Sequence, residues 1–215
     1  MNTLTNNSFL DSPFLDPNAE IEIKQGILPH WKQKGVYYFV TFRLADSIPN
    51  SKKKKLIADR ERWNNKHQKG IKFTKEDWIE YNRLFNHRVE NWLNAGYGSC
   101  LLRKPENASI VANALKYFDN KRYVLDEWVV MPNHVHVLVR PLAEHNISDI
   151  LHSWKSYTAN EINIRENRTG QLWMRESYDH IVRNDRALKN IRRYINQNPA
   201  KAGIKVHEAS SHPLL

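Results

Sequence analysis

Cysteine is nearly missing from this chain: Cys100 is the only one in 215 residues. No internal disulfide can form, and a reducing cytoplasm is the expected setting. The flanks of Cys100, Gly98-Ser99 and Leu101-Leu102, read as those of a packed thiol rather than a nucleophile. Long apolar runs are also lacking; none approaches the roughly 20 residues that a membrane helix needs. Met1 to Leu10 has no basic start followed by an apolar stretch, so an export signal is not expected. Acidic residues are scarce relative to basic ones, 23 against 33, which leaves a formal charge of +10.

That charge points to a polyanionic partner. Seven Trp and nine Tyr accompany it. Together they favour single-stranded nucleic acid, whose unpaired bases stack on rings while phosphates meet cations, although most of the rings are needed for a core. With 40 % hydrophobic residues, the chain is long enough to bury that core in a single domain.

Residues 1–26 mix Asn, Ser, Pro and Asp with Phe9, Leu10, Phe14 and Leu15, and read as an arm lying across a surface. Val36 to Leu44 is dense in β-branched and aromatic residues and predicts a first, central strand. Apolar residues then recur at helical spacing from Leu56 and Ile57 through Trp63, Tyr81, Phe85, Trp92 and Leu93, predicting a helical insertion over about 50–98 closed by Gly96 and Gly98. At its start, Lys52, Lys53, Lys54 and Lys55 form either a solvated face or an edge that meets phosphates. A helix is expected over Asn107–Phe118, preceded by Pro105 and stopped by Asp119-Asn120. A strand over Arg122–Val130, a turn at Met131-Pro132-Asn133 and a strand over His134–Arg140 make a hairpin. Asn146 to Ile164 predicts another helix with Ser148 as its cap, Tyr178 to Val182 a further strand, and Asp185 caps a last helix that Asn198-Pro199 ends. The tail from 205 to 215 looks frayed.

The order is strand, helical insertion, helix, strand, strand, helix, strand, helix. Without the insertion and the last helix this is a ferredoxin-like, RRM-like α+β fold, an antiparallel sheet with helices on one face. In that topology the first and third strands are the inner pair, which places His134 and His136 mid-sheet. They share a face because alternate strand residues point the same way. Two neutral imidazoles side by side suit a divalent metal, and also suit a surface strand with two ordinary histidines. Tyr194 and Asn198 lie four residues apart, one turn along the last helix. Tyr194 is a candidate nucleophile or a half-buried helix aromatic; Asn198 offers a hard carbonyl ligand for Mg²⁺ or Mn²⁺, or is a C-terminal stop before Pro199. Tyr157, with Glu161 four residues on, and Tyr178 compete for the nucleophile's role.

Several segments in order carry a resemblance: Leu28-Pro29-His30-Trp31 with Tyr38-Phe39-Val40-Thr41-Phe42-Arg43, then Val130-Met131-Pro132-Asn133-His134-Val135-His136, Gly170-Gln171-Leu172-Trp173, and Arg192 to Gly203. Over residues 27–204 the chain resembles the REP-associated tyrosine transposases, a branch of the HUH single-tyrosine transposases that act on single-stranded DNA. Sister transposases carry Gln where the REP-associated branch carries Asn, the residue found at Asn198.

The resemblance implies one HUH domain over 27–204, whose C-terminal helix carries the tyrosine. His134, His136 and Asn198 would hold Mg²⁺ or Mn²⁺, and Tyr194 would form a 5′-phosphotyrosine and release a 3′-hydroxyl. It implies REP-type palindromic hairpins as substrate and a cytoplasmic, nucleoid-associated monomer or homodimer with no membrane partner. Arg192 and Arg193 are candidates for phosphate contacts, with Arg43 and the four lysines as further DNA-binding candidates. Two rival readings stand beside it: a non-catalytic RRM-like module stacking bases on Tyr38 and Phe42, and a metal-dependent phosphodiesterase in which water attacks.

Overall fold

The computed structural model describes residues 12–16, 18–19, 22–24, 30–67, 74–142 and 144–210. Its elements are β1 (Glu22–Lys24), β2 (His30–Lys32), β3 (Tyr38–Arg43), α1 (Asn50–Lys66), α2 (Lys75–Tyr81), α3 (Arg88–Asn94), α4 (Pro105–Tyr117), β4 (Tyr123–Met131), β5 (His134–Pro141), α5 (Ile147–Arg165), β6 (Tyr178–Ile181) and α6 (Asp185–Lys201). A π-helical stretch, Asn82–His87, joins α2 to α3. The small β1–β2 hairpin was not anticipated; its pairs are Glu22 with Lys32 and Lys24 with His30. Phe9 and Leu10 of the expected arm, and Leu28 and Pro29, lie outside the described residues.

The main sheet is antiparallel in the order β4-β5-β3-β6, so the ferredoxin-like expectation holds and β3 and β5 form its centre. Register pairs Thr41 with His136 and Arg43 with His134. Strand alternation then divides the sheet into two faces. Tyr38, Val40, Phe42, Val135, Val137 and Val139 turn to one side and pack with Ala108, Val111 and Leu115 of α4 and Ile150, Leu151 and Trp154 of α5. Phe39, Val129, Met131 and Leu138 turn to the other, where Leu188 and Ile195 of α6 cover them. Two helices therefore lie on one face, and the last helix lies on the face that carries the histidines.

Some boundaries differ from the sequence reading, each for a local reason. Asn146, not Ser148, caps α5, its side chain accepting from Asp149 N. Asn184, not Asp185, caps α6 in the same way through Ala187 N. In both cases an Asx residue just upstream already satisfies a free N–H of the first turn. Helix α6 does not stop at Asn198 but runs on through Pro199 to Lys201. Proline removes one backbone donor there, yet Ala202 N still donates to Asn198 O at 3.0 Å, and Ala202 and Ile204 pack on the apolar face. The tail is not frayed over its described part. Val130 N donates to Glu208 O at 3.0 Å and Ser210 N to Trp128 O at 2.9 Å, so the chain lies along the free edge of β4 and satisfies its backbone groups.

The insertion is helical as expected and is anchored to the sheet at two points. Asn86 Nδ2 donates to the Tyr178 hydroxyl at 3.3 Å. Asn133 Nδ2 donates to the carbonyls of Leu93 and Tyr97 at 3.2 and 3.1 Å. Gly98 closes it with φ +86, and a Cβ there would meet Asp46 O at 2.6 Å, so only glycine fits.

Candidate metal and tyrosine site

His134 and His136 sit mid-sheet, 1 % and 3 % exposed, with their Nε2 atoms 3.1 Å apart. The Asn133 amide nitrogen is committed to the Leu93 and Tyr97 carbonyls, so its Oδ1, 2.7 Å from His134 Nδ1, can only accept. His134 therefore carries its proton on Nδ1 and presents a bare Nε2 lone pair. His136 Nδ1 lies 2.8 Å from the Thr41 hydroxyl, which both donates and accepts, leaving either nitrogen of His136 free to hold the proton. Burial holds both imidazoles neutral. His136 is lowered to about 3, and His134 falls well below 6.5 through burial, its neighbour His136 and the Arg43 guanidinium. Neutral imidazole is the form that ligates a metal.

Tyr194 reaches this pair from α6: its Oη lies 3.4 Å from His136 Nε2. Phe39 fixes the rings around it, stacked on His136 at 5.5 Å and edge-on to Tyr194 at 5.7 Å. Burial, followed by the carboxylate of Glu90 on α3, raises the Tyr194 phenol above its usual range. Asn198 is fully buried one turn further along α6, and neither side-chain amide atom has a hydrogen-bonding partner. A buried amide left this way is costly unless something else satisfies it. Among the described residues no three His, Cys, Asp or Glu side chains cluster to hold a metal. The donors that fit a divalent cation here are two imidazole nitrogens and an orphaned amide oxygen, a set suited to Mn²⁺ or Mg²⁺ with positions left for phosphate oxygens.

The competing tyrosines are placed differently. Tyr157 lies on α5, whose buried side packs on the opposite face of the sheet from the histidines, and is 53 % exposed. Tyr178 is on the histidine face, but its hydroxyl accepts from Asn86 and burial pushes it up to about 12. The stacking platform expected of an RRM-like module does not exist: Tyr38 and Phe42 are 1 % and 0 % exposed beneath the helices.

The basic candidates divide. Arg43 closes β3 beside His134, lowered to about 10 by burial and donating to Ser47 Oγ at 3.1 Å. Arg192 is committed within the protein, its Nε and Nη2 on Asp126 at 2.9 and 2.6 Å, whereas Arg193 is exposed. Lys52 lies over the Trp92 and Tyr97 rings and Lys53 donates to Ala45 O at 2.7 Å; Lys54 and Lys55 are exposed. Sequence reasoning missed Thr41 and Asn133, which orient the histidines, although both stand inside segments singled out there.

Residues 101–198 match the family described as transposase, IS200-like. Both histidines, Tyr194 and Asn198 fall inside the matched segment, whereas β3 and the insertion precede it. A solved REP-associated tyrosine transposase bound to a REP hairpin shares 15 % identity, with a TM-score of 0.45, over 81 % of this chain and 72 % of that one. A protein from Deinococcus radiodurans R1 assigned as a transposase also shares 15 % identity, with a TM-score of 0.36, over 81 % and 97 % of the two chains. No curated protein matches the chain. Among the described residues, no helix is long and apolar enough to cross a membrane.

Proposed function

We propose that the protein is a transposase that cleaves and rejoins single-stranded DNA at REP-type hairpins through a covalent bond between Tyr194 and a 5′-phosphate. The observation that carries the reading is the 3.4 Å approach of the Tyr194 hydroxyl to His136 on a face where two bare or exchangeable imidazole nitrogens meet. His134, His136 and Asn198 would hold a Mg²⁺ or Mn²⁺ ion, which polarises the scissile phosphate and offsets its developing charge when bound. Asn133 and Thr41 hold the two imidazoles in ligating orientation, and Phe39 keeps the Tyr194 ring against them. Tyr194 Oη forms the new bond to phosphorus as the bond to the 3′-oxygen breaks, giving a phosphotyrosine and a free 3′-hydroxyl. Attack by a 3′-hydroxyl on that ester reverses the step and rejoins strands without ATP. Arg43, Arg193, Lys54 and Lys55 supply positive charge for the DNA backbone, in keeping with the +10 balance of the chain. The hairpin preference follows from the motifs of the REP-associated branch, Asn198 among them.

The test is incubation with a labelled single-stranded oligonucleotide bearing a REP-type hairpin and Mn²⁺, followed by a denaturing gel. A protein–DNA adduct is expected from the unmodified chain and none from Tyr194→Phe. Cleavage with no adduct would instead identify a hydrolase that uses water.

A further inference from the structure

A cavity of about 170 Å³ adjoins His134. Its wall comes from three parts of the chain: Asn94 and Gly96 at the end of the helical insertion, Pro132 and His134 of the β4–β5 hairpin, and Ile204 just past α6. Arg103, the last residue of the short helical turn Leu101–Arg103, stands at its side. A second cavity, of about 210 Å³, shares Arg103, Pro132 and Ile204 with the first and continues past Lys205 and His207. With three lining residues in common, the two run on as one groove that leads from the candidate metal ligand out along the tail. Its walls are held in place: Asn133 Nδ2 bonds the Leu93 and Tyr97 carbonyls of the insertion, and Ile204 N donates to Pro199 O at 3.0 Å.

The groove's polar groups are unspent. Asn94 Oδ1 is buried without a hydrogen-bond partner, and a buried acceptor left this way is costly unless a ligand satisfies it. Arg103 and Lys205 are exposed, and among the described residues neither side chain has a hydrogen bond or an ion pair. The surface between them is apolar, with Pro132 and Ile204 common to both cavities. An unmet acceptor, free cations and an apolar floor match the amino edge, the phosphates and the ring faces of a single strand of DNA.

We infer that this groove seats the single strand next to the scissile phosphate, with Asn94 reading one base and Arg103 holding a backbone phosphate. The Asn94 oxygen accepts from an exocyclic amino group, which adenine, cytosine and guanine carry and thymine lacks. Arg103 donates to phosphate oxygens and carries no sequence information. Asn94 precedes the segment matched to the transposase family, so the base preference comes from the insertion and not from the matched half of the chain.

This inference rests on the tyrosine reading above for the position of the scissile phosphate, and the experiment separates the two. Hairpin oligonucleotides are varied at one single-stranded nucleotide at a time. Binding by mobility shift and adduct formation with Mn²⁺ are measured for the full chain, N94A, N94D and R103M. The unmodified chain is expected to disfavour thymine at one position by at least about 5-fold; N94A loses that preference there and nowhere else, and N94D, which keeps acceptor oxygens, retains it. R103M is expected to bind every oligonucleotide more weakly to a similar degree, with a slope of log affinity against log salt shallower by about one. Asn94→Ala removes a side chain with no hydrogen bond among the described residues, so a changed base profile reports recognition and not a disturbed fold. No position that disfavours thymine, an N94A profile identical to the unmodified one, N94D losing the preference with N94A, or an unchanged salt slope in R103M overturns the inference. Absence of an adduct from the unmodified chain overturns the tyrosine reading instead, while the binding profiles still decide the groove.

Discussion

The Asn133 amide oxygen accepts from His134 Nδ1 at 2.7 Å while the amide nitrogen on the same side chain is held by two carbonyls of the insertion. One residue therefore links the fold of the insertion to the orientation of a candidate metal ligand. Removing it frees the imidazole to rotate and to change tautomer. Asn133→Ala is expected to weaken Mn²⁺ binding by about 10- to 100-fold, the usual consequence of losing a partner that orients a ligand. Isothermal titration of the purified variant with MnCl₂ measures this, and an unchanged affinity would show that His134 needs no such support.

The Asp126–Arg192 pair ties α6 to the bulge in β4, where register shifts between Leu125 and Trp128. Asp126 is 9 % exposed, so Arg192→Met strands a carboxylate in a poorly hydrated place. The expected loss is about 2 kcal/mol, less than for a fully buried pair because the arginine is partly hydrated. Asp126→Asn in the same chain should recover much of it. Urea denaturation of the two single variants and the double variant gives the coupling between them.

Stability should fall with acid well before the carboxylates titrate. His136 is lowered to about 3 and His180 to about 4, both by burial, and His134 well below 6.5. Between pH 6.5 and about 4 the unfolded chain binds protons at these positions and the folded chain does not. Stability is therefore complete above the unfolded value and is lost as pH drops, by up to about 1.4 kcal/mol per pH unit for each histidine. Urea midpoints across this range should show the slope, and His180→Phe, which removes one of the three imidazoles but neither candidate metal ligand, should make it shallower.

Gly98→Ala is expected to cost about 2 kcal/mol or more, because it combines a left-handed φ of +86 with a Cβ placed 2.6 Å from the Asp46 carbonyl. Thermal melting checks the loss. Gly35, also at positive φ but with open space around it, should tolerate alanine better and serves as the comparison.

Much of this arrangement was legible in the sequence because it follows from periodicity. Alternation in His134-Val135-His136 put two imidazoles on one face, and helical spacing put Tyr194 and Asn198 a turn apart. Turn residues at Pro132-Asn133 marked the hairpin. What periodicity does not encode is which face of the sheet a helix covers. Tyr157 and Tyr194 both lie on amphipathic helices, and only tertiary packing assigns one to each side. The caps of α5 and α6 were misplaced by one or two positions because Asn146, Ser148, Asn184 and Asp185 are all competent caps. Helix α6 outlasts Pro199 because packing of the following residues offsets a lost backbone bond.

The central position of β3 bears on how this domain can be handled as a unit. The segment matched to the transposase family begins at residue 101, after β3 and after every residue of the insertion. Cut there, the fragment would keep both histidines and the tyrosine but lose the strand between β5 and β6, leaving two open edges and stripping Thr41 and Phe39 from the imidazoles. The recognisable half of the chain is thus not portable, and a graft or minimised version must begin upstream of Tyr38.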